Sequence, residues 1–230
     1  MSKYEHIFFD LDHTLWDFET NSRHTLNELF HEFVAHHTDS EALAFIEIYE
    51  RINHKMWADY SAGRINKTHL RFERFPLALQ ELGLDNRKMA LEMNELYMKY
   101  TPYKTALFPD TREVLAYLGD KYELHLITNG FEEVVQVKMT ESDLWSYFKE
   151  VIISEVVGIL KPHPGIFERA MELTGAQKES SIFIGDNLIS DIGGARNFGM
   201  DQVFFNPKLV PHSEKTTFEI SALSELKTLF

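Results

Sequence analysis

Short, unbroken apolar runs punctuate the chain at Ile7-Phe8-Phe9, Leu124-His125-Leu126-Ile127, Val151-Ile152-Ile153, Ile182-Phe183-Ile184 and Val203-Phe204-Phe205. Their length and their β-branched and aromatic content are those of strands buried on both faces. Between the later runs the polarity repeats at helical period. One helix is expected over 111–118, opened by Asp110 with Glu113 as a capping box; a second runs from Pro164 to Leu173; a short third spans 190–198 and is closed by Gly199. Alternation of this kind predicts an α/β fold, a doubly wound parallel sheet of Rossmann-like type. Four of the five runs lie in the second half of the chain. The stretch between the first and the second reads as helix, with apolar positions at Leu26, Leu29, Phe30 and Phe33 and then at Leu43, Ile46 and Tyr49. A helical insertion over 16–100 is therefore expected within a core made of 1–15 and 101–230, with Pro102 and Pro109 flanking the return. Near the C-terminus Leu223, Leu226 and Leu229 are spaced as one helix face against the sheet.

Composition narrows the function. With 44% hydrophobic and 26% charged residues the chain is ordinary globular material. No apolar stretch approaches the roughly 18 to 20 residues needed to span a bilayer. The first residues lack a basic region and the apolar run stops at Asp10, so no secretory signal is read and a cytoplasmic location is expected. The absence of cysteine excludes disulfides, thiol catalysis and thiolate metal sites, so any metal must be held by oxygen or imidazole. A formal charge of -13, from 23 Lys+Arg against 36 Asp+Glu, repels a nucleic-acid backbone. No nucleic-acid polymer and no membrane is expected as a partner, whereas a small anion is acceptable wherever positive charge is concentrated.

Polar residues gather at the ends of the expected strands: Asp10 and Asp12 after the first, Thr128 and Asn129 after the second, Gly185 and Asp186 after the fourth. Ligands of open parallel sheets bind beyond these carboxyl ends. In Asp10-Leu11-Asp12 an extended chain sends both carboxylates to one side and the leucine to the other. Asp10 ending a strand and Asp12 capping the next element would be the plainer explanation, as a turn with a helix N-cap would be for Asp186 and Asp191. Should the two pairs converge, four carboxylates meet, and such crowding needs a divalent cation or a shared proton. Mg²⁺ suits a set of oxygen ligands. Lys161, between an apolar run and the stiff Pro162-His163-Pro164 loop, can supply the local positive charge, and the Thr128 hydroxyl with neighbouring main-chain N–H groups can add donors for phosphoryl oxygens.

Asp10-Leu11-Asp12-His13-Thr14-Leu15, Ile127-Thr128-Asn129-Gly130, Lys161-Pro162 and Gly185-Asp186 to Asp191 resemble the four ordered motifs of the haloacid dehalogenase-like hydrolase superfamily. The resemblance spans essentially the whole chain, and the insertion after the first motif looks like that superfamily's α-helical cap. It implies a nucleophile at Asp10, which forms an aspartyl-phosphate, and a general acid and base at Asp12. It implies Mg²⁺ held by Asp10, the main-chain carbonyl of Asp12, Asp186 and, directly or through water, Asp191, and a phosphoryl group bound by Thr128, Asn129 and Lys161. Dehalogenases of the superfamily lack the second aspartate of the first motif, which this chain keeps, so the resemblance points to a phosphatase. Finer stretches, 56–65, 127–131 and 153–158, are similar to the bacterial non-canonical pyrimidine 5'-nucleotidases, which implies a nucleoside monophosphate as substrate. Sugar-phosphate and acylneuraminate phosphatases, phosphomutases and a catalytically idle binding protein stand as alternatives. Trp16, Phe18, Trp57, Tyr60 and Phe131 are candidates for an aromatic wall against a base, and at least three of them are expected to be ordinary packing.

Overall fold

The computed structural model describes residues 3–230. The chain forms two compact units, one made of the residues up to Phe18 together with Thr105–Phe230, the other of Glu19–Lys104.

The first unit is built on a six-stranded sheet: β1 (His6–Phe9), β2 (Glu123–Thr128), β3 (Glu150–Ile153), β4 (Ser181–Gly185), β5 (Asp201–Phe205) and β6 (Phe218–Ile220). Every pairing is parallel and the order is β3-β2-β1-β4-β5-β6. The chain winds outward in one direction from β1 through β2 to β3, and in the other from β4 to β6, so the switch point lies between β1 and β4. Alternate residues of each strand feed two cores. Ile7, Phe9, Leu124, Leu126, Ile182, Ile184, Val203 and Phe205 enter one; Phe8, Ile127, Ile152 and Phe183 enter the other. Double-sided burial is why these strands read as unbroken apolar runs.

The other unit is helical. The helices begin with α1 (Phe18–Leu29), followed by α2 (Ala42–Ser61), α3 (Lys67–Glu81) and α4 (Arg87–Tyr100). Asn66 and Asn86 cap α3 and α4, their side chains accepting from His69 N and Met89 N at 2.9 and 3.1 Å. Phe45, Tyr49, Phe75 and Tyr97 form a continuous ring cluster at its centre. The Arg74 guanidinium lies near the rings of Tyr49 and Tyr97 and donates to Asn53 at 2.9 Å. The remaining helices belong to the sheet unit: α5 (Thr111–Gly119), α6 (Glu132–Glu141), α7 (Ser154–Val157), α8 (Pro164–Thr174), α9 (Gly194–Phe198) and α10 (Leu226–Leu229). Among the described residues no helix is long and apolar enough to cross a membrane.

Several local expectations are corrected. Asp110 sits in the left-handed region at φ 64° and makes no side-chain cap, so the capping box with Glu113 does not form; the Thr111 hydroxyl donates to Phe108 O at 2.8 Å instead. The helix expected over 190–198 is two pieces, a π-helical turn over Leu188–Gly193 and then α9. Strand β6 escaped notice because it is a three-residue edge strand with a polar centre, Glu219. Of the C-terminal leucines, Leu223 and Leu226 are buried but Leu229 is exposed; in the helical unit Leu43 is exposed and Phe45 takes the buried place beside Ile46.

At the end of the sheet remote from Asp10, His6 and Glu123 are register partners, and His125 lies beside them, stacked on Phe8 with ring centroids 4.7 Å apart. His6 Nδ1 and His125 Nε2 are 3.1 Å apart, and Glu123 Oε2 is 3.7 Å from the same His6 nitrogen. The three groups are close enough to share a metal ion. Ligation through Nε2 of His125, however, would strand a proton on Nδ1, which is buried without a partner. The tautomer with Nε2–H donating to His6 is therefore the better one. Burial, helped by the charges of His6 and Lys149, lowers the His125 pKa to about 4. The unfolded chain takes up this proton near pH 6.5 and the folded chain only near 4, so stability is lost as pH falls through that window. Replacing His125 by Phe is expected to flatten the pH dependence of urea unfolding between pH 7 and pH 5 by roughly 1–2 kcal/mol relative to wild type, allowing for solvent screening on the Glu123 side. Equal acid sensitivity in both proteins would contradict the assignment.

Candidate active site

Sheet register sets the level of the site. Phe9 pairs with Leu126 on one side and Ile184 on the other, so Asp10 stands level with Ile127 and Gly185 at the carboxyl end of the central strand, beside the switch point. The Asp10 main-chain N–H donates to Ile184 O at 2.9 Å, which continues the ladder one residue beyond β1. Leu11 turns into the core, and His13, at φ 65°, reverses the chain so that its N–H donates to Trp16 O at 3.0 Å.

Lys161 is the centre of the constellation. Its ammonium is 1% exposed and reaches Asp10 Oδ1 at 2.6 Å, Asp191 Oδ1 at 2.8 Å and the carbonyl of Ile127 at 2.8 Å, which engages all three of its protons. The carboxylates raise its pKa to about 12 against the opposing effect of burial. Asn129 does not offer its side-chain amide outward. Its Nδ2 donates to Lys161 O and its Oδ1 accepts from Lys161 N, both at 2.9 Å, so the amide grips the lysine's own peptide. The Thr128 hydroxyl is buried at the end of β2 and accepts from Gly130 N at 3.1 Å, leaving its own proton to donate.

Of the four acidic side chains read from the sequence, three converge. Carboxylate oxygens of Asp10, Asp186 and Asp191 all lie within 4.8 Å of one another. The Asp191 oxygens also accept from Asn187 N and from the Ser190 hydroxyl, both at 3.1 Å, while the N-cap of the π-helical turn is Asn187 rather than Asp191. The Asp12 carboxylate stands apart from this group and is taken by Lys138, whose Nζ lies 2.5 Å from Asp12 Oδ1.

The charges within the triad do not balance. Burial, reinforced by Asp191 and Asp12 and opposed by Lys161, raises the Asp10 pKa to about 7, and burial with Asp191 and Asp10 pushes that of Asp186 well above the usual carboxylate range. One lysine against three carboxylates leaves a deficit of positive charge in an all-oxygen cage. A hard divalent cation fits that donor set.

Sequence reasoning missed two members of the site. Thr14 Oγ1 lies 3.3 Å from Asp186 Oδ1 and 3.5 Å from Asp10 Oδ2, and so links the first motif to the fourth. Lys138 occupies the stripe Val135, Lys138, Met139 that α6 buries, and a lysine at a core-facing helical position was the available signal. Trp16 and Phe131, two of the aromatic-wall candidates, are buried, and Phe18 packs against the core; Trp57 and Tyr60 lie edge to face within α2 at 5.7 Å.

Gly185 makes room for the triad. A Cβ at this position would come within 2.7 Å of both Cβ and Cγ of Asp191, whereas at Gly119, within α5, it would find only Leu124 Cδ1 at 3.8 Å. Gly185→Ala is expected to destabilise the protein by about 1–3 kcal/mol through forced displacement of Asp191. Gly119→Ala should be neutral or stabilise it by up to about 1 kcal/mol. Urea unfolding of the pair tests the contrast, and equal stabilities would refute it.

Known proteins are similar to this chain. The E. coli K12 pyrimidine 5'-nucleotidase YjjG is 29% identical over 99% of this chain and 98% of its own, and the Streptococcus pneumoniae pyrimidine 5'-nucleotidase PynA is 29% identical over 97% and 93%. The crystal structure of the Bacillus subtilis HAD-hydrolase YfnB, solved with magnesium bound, superposes with a TM-score of 0.89 at 24% identity, covering 99% of both chains. The haloacid dehalogenase-like hydrolase family model matches residues 7–205, from within β1 to the end of β5 and through all four motifs; the chain belongs to that family.

Proposed function

We propose that the protein is a Mg²⁺-dependent phosphomonoesterase that works through an aspartyl-phosphate, with pyrimidine nucleoside 5'-monophosphates as its substrates. The observation that carries the reading is the separation of two neighbouring carboxylates into different environments: Asp10 against Lys161 in the triad, Asp12 apart from it on Lys138. Two carboxylates with different neighbours suit two roles. Asp10 Oδ attacks phosphorus as the bond to the ester oxygen breaks, and Asp12 in its acid form protonates that oxygen, releasing the alcohol. Water then attacks the aspartyl-phosphate, giving a proton to the Asp12 carboxylate and freeing phosphate and Asp10. A halide leaving group needs no such acid, which favours phosphoryl transfer over dehalogenation.

Lys161 and the Thr128 hydroxyl are assigned to the transferring phosphoryl group, with Asn129 holding Lys161 in position through its peptide. Asp10, Asp186 and Asp191, with the main-chain carbonyl of Asp12, would hold the Mg²⁺, which when bound would offset the carboxylate charge and draw negative charge from the phosphoryl oxygens. The choice of nucleotide rests on the relatives named pyrimidine 5'-nucleotidase, which match along nearly their whole length.

Phosphate release should be measured from a panel of nucleoside monophosphates and sugar phosphates, with Mg²⁺ and with chelator. Pyrimidine monophosphates are expected to lead, chelation to abolish release, and Asp10→Asn to lower kcat by about 10³-fold or more with the fold retained. Preference for sugar phosphates would overturn the substrate assignment alone. Wild-type turnover by Asp10→Asn would overturn the mechanism.

A further inference from the structure

Lys138 has no part in the four motifs, yet it is among the most deeply buried charges in the sheet unit. Its side chain is 3% exposed and extends from α6 toward the turn after the first motif. The ammonium meets Asp12 Oδ1 at 2.5 Å and sits 3.9 Å from the ring centroid of Trp16 and 5.2 Å from that of Phe18. Trp16 is fully buried, and its main chain is bridged to Asp12 on one side and to Leu107 on the other. Taking a lysine out of water costs several kcal/mol, which aromatic faces offset only in part, so the carboxylate of Asp12 must account for much of its retention.

The contact divides the two oxygens of Asp12. Oδ1 is committed to the ammonium. Oδ2 faces the turn after β2, where a Cβ built on Gly130 would lie 3.8 Å from it and 3.3 Å from the Thr128 hydroxyl oxygen. A carboxyl free to rotate would present either oxygen in many orientations, whereas one anchored through Oδ1 offers Oδ2 in a single direction, toward the residues assigned to the phosphoryl group. Orientation of this kind is a large part of general acid–base efficiency.

We propose that Lys138 is a positioning residue for proton transfer: it holds the Asp12 carboxyl so that Oδ2 delivers the proton to the ester oxygen as the phosphorus–oxygen bond breaks, and takes one back from the water that attacks the aspartyl-phosphate. The inference rests on the phosphatase reading and extends it to a residue outside the motifs. It predicts a dependence on the leaving group. A nucleoside monophosphate expels a basic alkoxide and needs the proton; p-nitrophenyl phosphate expels a weakly basic phenolate and needs it much less.

The test compares kcat/KM, which reports the steps up to alcohol release, on these two compounds for wild type, Lys138→Met and Lys138→Arg at saturating Mg²⁺, with circular dichroism and thermal melts as checks of the fold. Lys138→Met is expected to lose about 10²-fold on the nucleoside monophosphate and far less on p-nitrophenyl phosphate. Lys138→Arg, which keeps the charge, should recover part of the loss. An equal fall on both compounds, or no fall on either, would overturn the positioning role. If Lys138→Met does not fold, Lys138→Gln carries the same comparison. Absence of wild-type turnover on both compounds would overturn the phosphatase reading itself, and this role with it.

Discussion

Three acceptors surround the Lys161 ammonium, and each comes from a different part of the sheet unit: Asp10 from the end of β1, the Ile127 carbonyl from β2, and Asp191 from the π-helical turn after β4. The strands and turns bearing them are brought together by the parallel pairing of β1 with both neighbours. If the lysine were removed, three carboxylates would face one another, with the Thr14 hydroxyl bridging only Asp10 and Asp186. The arrangement is held against strong repulsion by one buried cation, and a buried charge is tolerable only while its partners are in place.

The same constraint shapes the rest of the site. The triad demands space, which Gly185 provides by having no side chain, and it demands donors, which Asn187 N and the Ser190 hydroxyl supply to Asp191. Asp12, outside the triad, takes a positive charge of its own. Geometry gives the two aspartates their two environments: Asp10 continues the ladder of β1, whereas Asp12 lies past the buried Leu11, before the reversal at His13, and is met by a lysine from α6. A chain carrying a net charge of -13 thus places buried ammonium groups at the two carboxylates assigned to the chemistry.

Much of this architecture was legible in the residue pattern because its physical cause is local. Strands buried on both faces carry mostly apolar runs, so β1 to β5 announced themselves, and the acids and the lysine stood out after otherwise apolar stretches. What could not be read depended on partners distant in sequence. The short edge strand β6 is defined by pairing with β5 rather than by its own composition. Asp110 resembles a cap in sequence, but its left-handed backbone takes the side chain away from that task. The sequence offers the main-chain N–H of Asn129 as a donor but says nothing of its side-chain amide, whose partner peptide lies 32 positions along the chain. Asp12 and Lys138 are 126 apart, so no local spacing could have joined them.

The grip of Asn129 on residue 161 has a consequence for how such a site can change. The amide holds only the main-chain N–H and carbonyl, groups common to almost every amino acid. The clasp on position 161 is therefore indifferent to the side chain it carries. Chemistry and placement become separable traits: drift or selection could exchange the lysine, or restore it, without disturbing the path of the loop that bears it. Proline, which lacks the N–H, is the one residue such a clasp would reject outright.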